Sequence, residues 1–380
     1  MQLIQRWIQR WLKRAGLALA CAGVLAMPAQ AVTVTDLAGR KVELPKKVDR
    51  ILLGEGRLFY SLALLEGDKP VARIAGWQGD FRQLDPQTYG QYRARFPEID
   101  KIPLIGKTSE ASVSGEKVVS LKPDIAVFSL AGHGPSVHNP LVKQLEAAKI
   151  PVIFVDFRLK PMENTVPSMR LMGKALQREA QAEKFIRFYE QNMKLVTDTV
   201  KGIPAAQRPK AFLDLRAGAM DGIYTAGKGS LGEMVEAAGG INIGSGLLST
   251  EIGEVNLEKV IATNPAVYIA TGAGTPDAKL GLKFGPDVSA DVARAALKAT
   301  STRAQLGALG AVRNGKSYGA WHHFYNTPYH VVLVQQFAKW LQPAAFARLD
   351  PQATWATMYK DFLPAVAPQG TYWVDAGGAQ

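Results

Sequence analysis

Cysteine is almost absent from this chain of 380 residues: the single one, Cys21, lies in an apolar leader. Thiolate catalysis, thiolate metal sites and a disulfide scaffold are therefore not expected. Acid is in deficit, 33 Asp and Glu against 45 Lys and Arg, for a formal net charge of +12. Beyond the leader no run of about 20 apolar residues occurs, so the body of the chain is not expected to span a membrane. No His-Glu-x-x-His, Gly-x-Ser-x-Gly or Ser-His-Asp arrangement is found. What remains is an ordinary globular composition, 47% hydrophobic and 21% charged, long enough for two domains.

The first 31 residues read as an export address. Arg6, Arg10, Lys13 and Arg14 form a positive start, Leu17 to Met27 a short apolar run, and Ala29-Gln30-Ala31 a small-x-small cleavage pattern. Cleavage is expected after Ala31, giving a soluble periplasmic protein. Ala18 stands where a lipoprotein signal would carry Leu three residues before Cys21. Losing the four basic residues takes the charge from +12 to +8. In an exported protein this favours an anionic ligand or envelope surface over nucleic acid.

Alternating residues around Gly39 (Val32 to Leu44) predict a hairpin. Buried strands are predicted at Ile51–Leu53, Ile74–Trp77, Ile125–Phe128 and Val152–Val155. Helices separate them at Leu58–Leu65, Glu116–Leu121 and Pro140–Ala148. From Pro167 to Lys201 the periodicity is helical, with a bend at Leu176-Gln177-Arg178 and a stop at Gly202-Ile-Pro204. The alternation then resumes through Ala211–Leu215, Gly222–Thr225 and Val267–Thr271, with helices at Leu231–Ala238, Leu257–Thr263 and, last, Tyr329–Leu341. The expected fold class is α/β, with two lobes of mainly parallel sheet joined by one long rigid helix and a ligand cleft between them. The boundaries are 1–31 for the signal, 32–164 for the first lobe, 165–202 for the connector and 203–380 for the second lobe.

Two glycine-rich motifs are set aside. Gly310 to Ser317 fits the P-loop pattern, but Tyr318-Gly-Ala-Trp321 after it reads as strand, where phosphate binding needs a helix. Gly227-Lys-Gly229-Ser230-Leu-Gly232 fits the dinucleotide fingerprint, but lies far from the chain's first strand and reads as a turn with Ser230 capping a helix. The candidate ligand-binding residues sit on strand-to-helix loops, where open α/β sheets bind ligands. They are Arg57, Arg82 and Arg216, whose guanidinium groups suit oxyanions, together with Trp77, His133 and Tyr224. Trp321-His322-His323-Phe324-Tyr325 is the densest aromatic and titratable patch; its alternative reading is a packed aromatic turn. His330, on an apolar helix, reads as structural. No metal ligand set and no catalytic residue is assigned.

The pieces together resemble the periplasmic binding proteins of iron-siderophore, haem and cobalamin ABC importers. Thr35 to Pro45 is similar to the family's entry hairpin. Glu116 to Val127 resembles its helix-to-strand step, and Glu258 to Ile269 looks like the same step in the second lobe, with Ala266 where Asp is usual. Gly229 to Asn242 and Ala311 to Tyr318 complete the set. The resemblance implies a monomeric receptor, not an enzyme, that binds a small-molecule chelate, a ferric siderophore foremost, and carries no cofactor of its own. Haem and a molybdate-type oxyanion stay open as ligands; an exported metal-dependent enzyme using His322 and His323 is the runner-up. It also implies that Glu116 and Glu258 dock onto the paired permease subunits; helix-dipole stabilisation is the plainer reading of both.

Overall fold

The structure is a computed structural model that describes residues 32–274, 281–303 and 305–377. The expected leader, with Cys21 and the expected cleavage after Ala31, lies outside the described residues. Thr33–Thr35 (β1) and Lys41–Glu43 (β2) form the expected antiparallel hairpin, with Gly39 in the left-handed region at φ 77°.

A parallel five-stranded sheet follows: Ile51–Leu53 (β3), Ile74–Gln78 (β4), Leu104–Gly106 (β5), Ile125–Ser129 (β6) and Val152–Val155 (β7), in the order β5-β4-β3-β6-β7. Strands β3, β4 and β7 are buried at every residue, which is why they read as unbroken apolar runs. Helices Phe59–Glu66 (α1), Asp80–Leu84 (α2), Pro86–Arg95 (α3), Gly115–Ser120 (α4) and Pro140–Ala147 (α5) connect them. The sequence reading omits β5, α2 and α3, because β5 has only three residues and α3 (PQTYGQYRAR) is mostly polar.

Pro161–Ala175 (α6) and Glu179–Lys201 (α7) make a bent connector, broken where Gln177 turns left-handed at φ 60°. At 1.5 Å per residue, the 23 residues of α7 span about 35 Å. It buries Phe185, Ile186, Tyr189, Val196 and Val200 and exposes a charged face. Buried Glu66 of α1 pairs with both Arg73 and Arg178, fixing the bend to the first lobe.

The second lobe is built on Lys210–Asp214 (β8), Ile241–Asn242 (β10), Val267–Gly272 (β12), Ser317–Trp321 (β13) and Trp373–Asp375 (β14), ordered β10-β8-β12-β13-β14. All pair in parallel except β14, an antiparallel edge. Tyr224–Ala226 (β9) and Ile252–Glu254 (β11) form a separate antiparallel ribbon. The helices are Ser230–Ala237 (α8), Gly244–Leu247 (α9), Leu257–Thr263 (α10), Ala290–Ser301 (α11), Gly310–Arg313 (α12), His330–Leu341 (α13) and Pro351–Phe362 (α14). α13 is thus not the final helix: α14 follows and buries Trp355 and Phe362.

Both glycine motifs resolve as turns. The P-loop match is helix α12, a turn at Gly315 (φ 68°) and then strand β13, the reverse of the order phosphate binding needs. In the fingerprint match, a Cβ on Gly227, Gly229 or Gly232 would fall 2.1–2.5 Å from a backbone carbonyl, so the glycines serve the protein's own packing. Ser230 does not cap α8. Gly229 occupies that position, and the Ser230 hydroxyl is buried without a partner at φ 49°.

Candidate ligand-binding site

The carboxyl ends of the parallel strands in both lobes converge. Glu55 and Arg57 follow β3, Asp80 follows β4, His133 follows β6 and Arg158 follows β7; opposite them Arg216 follows β8 and His322 to Tyr325 follow β13. The lobes meet through an aromatic floor. Trp321 sets its edge on Tyr60 of α1 (centroids 5.7 Å), the Tyr329 hydroxyl donates to Tyr60 O (3.2 Å), and His323 Nε2 donates to Leu84 O (2.9 Å).

Above that floor lies a buried ionic knot. Arg57 donates through Nε to Asp80 (2.9 Å), through Nη2 to Glu55 (2.6 Å) and through Nη1 to the Tyr325 hydroxyl across the lobe boundary (2.7 Å). Asp80 also accepts from Gly56 N at 2.5 Å. Burial first, and the neighbouring Glu55 second, push the Asp80 carboxyl up to about 6, against the pull of Arg57. The loop after β6 presses on this knot, and only glycine permits it: a Cβ on Gly132 would sit 2.0 Å from Glu55 Oε2, and one on Gly134 2.5 Å from Gly54 O. The sequence reading treats Arg57 as an available cation; in the structure each of its three nitrogens is already bonded, to two carboxylates and a phenol, and it works as a bolt between the lobes.

Two other arginines are free. Arg158 lies with its guanidinium 5.2 Å above the Tyr325 ring, half-buried, and makes no ion pair among the described residues. Arg216, also half-buried and without an ion pair among the described residues, turns out of β8 at φ 48° and donates its backbone N–H to Thr271 Oγ1 (3.1 Å). Between them His322 packs its ring on Tyr325 (4.8 Å) and holds Thr271 Oγ1 through Nδ1 (2.9 Å). Burial, then His323 and the three arginines 216, 57 and 158, hold His322 well below the usual imidazole range, so it is neutral. Burial also lowers His133, with Arg57 adding to it; its Nδ1 meets Thr108 O at 2.8 Å. The space between Glu55, Ser129, Phe157, Arg158 and Asn326 measures only about 10 Å³.

The structure thus brings together Arg57, His133, Arg216, His322, His323 and Tyr325. It sets other expected residues apart. Trp77 is a core residue, packed edge-on to Phe59 (5.7 Å) and Phe81 (5.8 Å), with no face left for a ligand. Trp321 is likewise buried, at 1% exposure, in the floor. Arg82 leaves α2 on the outer flank, over Tyr89 and 4.0 Å from Asp100. Tyr224 lies on the β9–β11 ribbon; its carbonyl accepts from Leu215 N, beside Arg216. Glu116 and Glu258 are exposed in the first turns of α4 and α10, which Ser114 and Asn256 cap. Among the described residues no cluster of three or more His, Cys, Asp and Glu could hold a metal ion, and no helix is long and apolar enough to cross a membrane. The sequence reading missed Glu55, Asp80, Thr271 and Arg158, although Arg158 stands three residues past a recognised strand.

Known proteins share this architecture. The periplasmic binding protein family profile matches residues 84–318. An uncharacterised ABC transporter substrate-binding lipoprotein of Bacillus subtilis, YvrC, is 24% identical over 246 residues, 63% of this chain and 69% of that one. The TroA-like periplasmic binding protein FepB of Veillonella parvula is 26% identical with a TM-score of 0.79, over 90% of this chain and 99% of that one. The molybdate-bound periplasmic binding protein MolA of Haemophilus influenzae shares the fold at 20% identity and a TM-score of 0.67, over 88% of this chain and 99% of that one. Over the greater part of its length the chain thus belongs to the periplasmic binding protein family, whose members are substrate-binding proteins of ABC transporters and not enzymes.

Proposed function

We propose that this substrate-binding protein is an exported periplasmic receptor for an iron chelate, a ferric siderophore foremost, which it delivers to the paired permease subunits of an ABC importer. The observation that carries the reading is the pair of uncommitted arginines, Arg158 and Arg216, one from each lobe, flanking Tyr325 and His322. Guanidinium groups beside aromatic faces suit an anionic chelate whose oxygens point outward. A compact molybdate-type oxyanion is the second reading, supported by the same two guanidinium groups and by the ligand of the fold relative MolA. Calorimetry with ferric tris-catecholate and with molybdate tests both. Arg158→Ala and Arg216→Ala should each weaken the better ligand by about 1.5–3 kcal/mol, the worth of a charged hydrogen bond. Wild-type protein that binds neither probe, or a double variant that binds as tightly as wild type, would overturn the reading.

Glu116 and Glu258 are proposed to dock the permease, one carboxylate per lobe. Exchanging both for Gln should leave ligand affinity and melting temperature unchanged and abolish uptake through the cognate importer. Normal uptake would leave them only their helix-dipole role, worth about 0.3–1 kcal/mol.

A further inference from the structure

We infer that Thr271 fixes His322 as its Nε2–H tautomer, so that this imidazole offers the ligand an N–H donor and not a metal-coordinating lone pair. The inference rests on the anion-receptor reading above and narrows it: the ligand is recognised through its own oxygens by Arg158, Arg216 and His322 together.

The argument is a count of protons around one buried oxygen. Thr271 is fully buried at the end of β12. Its Oγ1 already accepts the Arg216 backbone N–H at 3.1 Å, and its only other hydrogen-bond partner among the described residues is His322 Nδ1 at 2.9 Å. A backbone N–H can only donate, so the hydroxyl proton has one place to go, the lone pair of Nδ1. A neutral imidazole that accepts at Nδ1 carries its proton on Nε2. Neutrality follows from burial together with three nearby guanidinium groups, which oppose a second proton. His322 keeps 9% exposure, and its Nε2 has no protein partner among the described residues. The other two histidines here are set oppositely to each other by carbonyls, which can only accept. His133 must donate through Nδ1 to Thr108 O, and His323 through Nε2 to Leu84 O, which leaves the His323 Nδ1 lone pair buried and unpartnered. Thr271 is therefore a positioning residue: one hydroxyl sets both the Arg216 backbone and the polarity of His322.

The test is nitrogen NMR of the full chain labelled with ¹⁵N-histidine, followed by calorimetry with ferric tris-catecholate and with Zn²⁺ alone. Wild type and Thr271→Ser should show His322 protonated at Nε2, and Thr271→Val should show a mixture of tautomers. Ferric tris-catecholate should bind roughly tenfold more weakly to Thr271→Val, with Thr271→Ser restoring affinity. Zn²⁺ should leave the His322 signals of wild type in place. A wild-type His322 protonated at Nδ1, or one whose Nε2 shift moves on stoichiometric Zn²⁺ binding, would overturn the inference. Should ferric tris-catecholate fail to bind wild type while the Nε2–H signature is present, the lock stands and the ligand reading falls.

Discussion

Among the described residues are two buried Asp–Arg–Tyr groupings that differ in where they sit and how they are balanced. In the second lobe Arg303 meets Asp214 through two nitrogens (2.8 and 3.0 Å), and the Tyr268 hydroxyl donates to the same carboxylate (2.6 Å). That is one cation for one anion, all within a lobe, with the Arg303 side chain 24% exposed. At the lobe boundary Arg57 faces two carboxylates, is 1% exposed, and borrows its tyrosine from the other lobe. The first arrangement clips strands β8 and β12 to the segment after α11. The second carries one negative charge more than it can neutralise, and Tyr325 is what joins that knot to the opposite lobe. Burying an ion pair is nearly neutral in free energy, but leaving one partner alone is not, so the two groupings should fail very differently.

Removing the cation should separate them most. Arg57→Met leaves Glu55 and Asp80 buried and opposed to each other, and should cost about 3–5 kcal/mol. Arg303→Met leaves a single carboxylate still bonded to Tyr268, and should cost about 1–3 kcal/mol. Urea unfolding of the two variants beside wild type measures both. A larger loss for Arg303→Met would show that excess charge does not govern the difference.

The pH dependence sharpens the same contrast. Asp80 titrates at about 6 in the folded chain against 3.8 for an ordinary Asp. Between those values the folded state keeps a proton that the unfolded state has released, so Asp80 favours folding at low pH and loses that contribution as pH rises to about 6. Buried histidines act the other way. Burial holds His330, bonded to the Tyr189 hydroxyl (2.8 Å), down at about 4, and lowers His322 and His323 as well. As pH falls from about 6.5 the unfolded chain takes up protons that these rings refuse, and stability drops. His133 is lowered in the same way, while burial raises Asp85 and Glu233 as it does Asp80, so three carboxyls partly offset four histidines on acidification. Asp80→Asn removes one of these opposing carboxyls and should make stability fall more steeply on acidification than in wild type. Equal slopes in urea titrations between about pH 4 and 6.5 would mean Asp80 ionises normally.

Much of this frame was legible in the sequence, for identifiable reasons. Parallel strands covered on both faces appear as short apolar runs, so β3, β4, β6 and β7 were found within a residue or so of their bounds. The bend at Gln177 and the end of α7 followed from loss of periodicity and from Gly202 and Pro204. At the site, position past a strand end points to Arg57 and Arg216, aromatic and titratable density points to His322 and Tyr325, and the first signal is equally present at Arg158, which the reading passes over. Aromatics at strand ends were ambiguous: Trp77 and Trp321 point into packed core, and only the three-dimensional neighbours decide that. Glu55 and Asp80 were invisible for a deeper reason. Their role depends on which guanidinium they share, a pairing that local sequence does not encode.

The smallest expected effect is also the most discriminating, because it removes one hydroxyl from each grouping and no charge. In Tyr325→Phe the Arg57 Nη1–H loses its acceptor in a buried site, and an unpaired buried donor costs about 1–3 kcal/mol. In Tyr268→Phe the Asp214 carboxylate loses a donor but keeps both nitrogens of Arg303, so the loss should be nearer 0.5–1.5 kcal/mol. Double-mutant cycles carry this further. Tyr325→Phe combined with Arg57→Met should cost clearly less than the sum of the two, since among the described residues the tyrosine's hydroxyl is bonded only to Arg57. Tyr268→Phe combined with Arg303→Met should cost at least the sum, because each partner compensates for the other at Asp214. If the two cycles gave couplings of the same sign and size, the tyrosine at the lobe boundary would be an ordinary core residue and not the tie between the lobes.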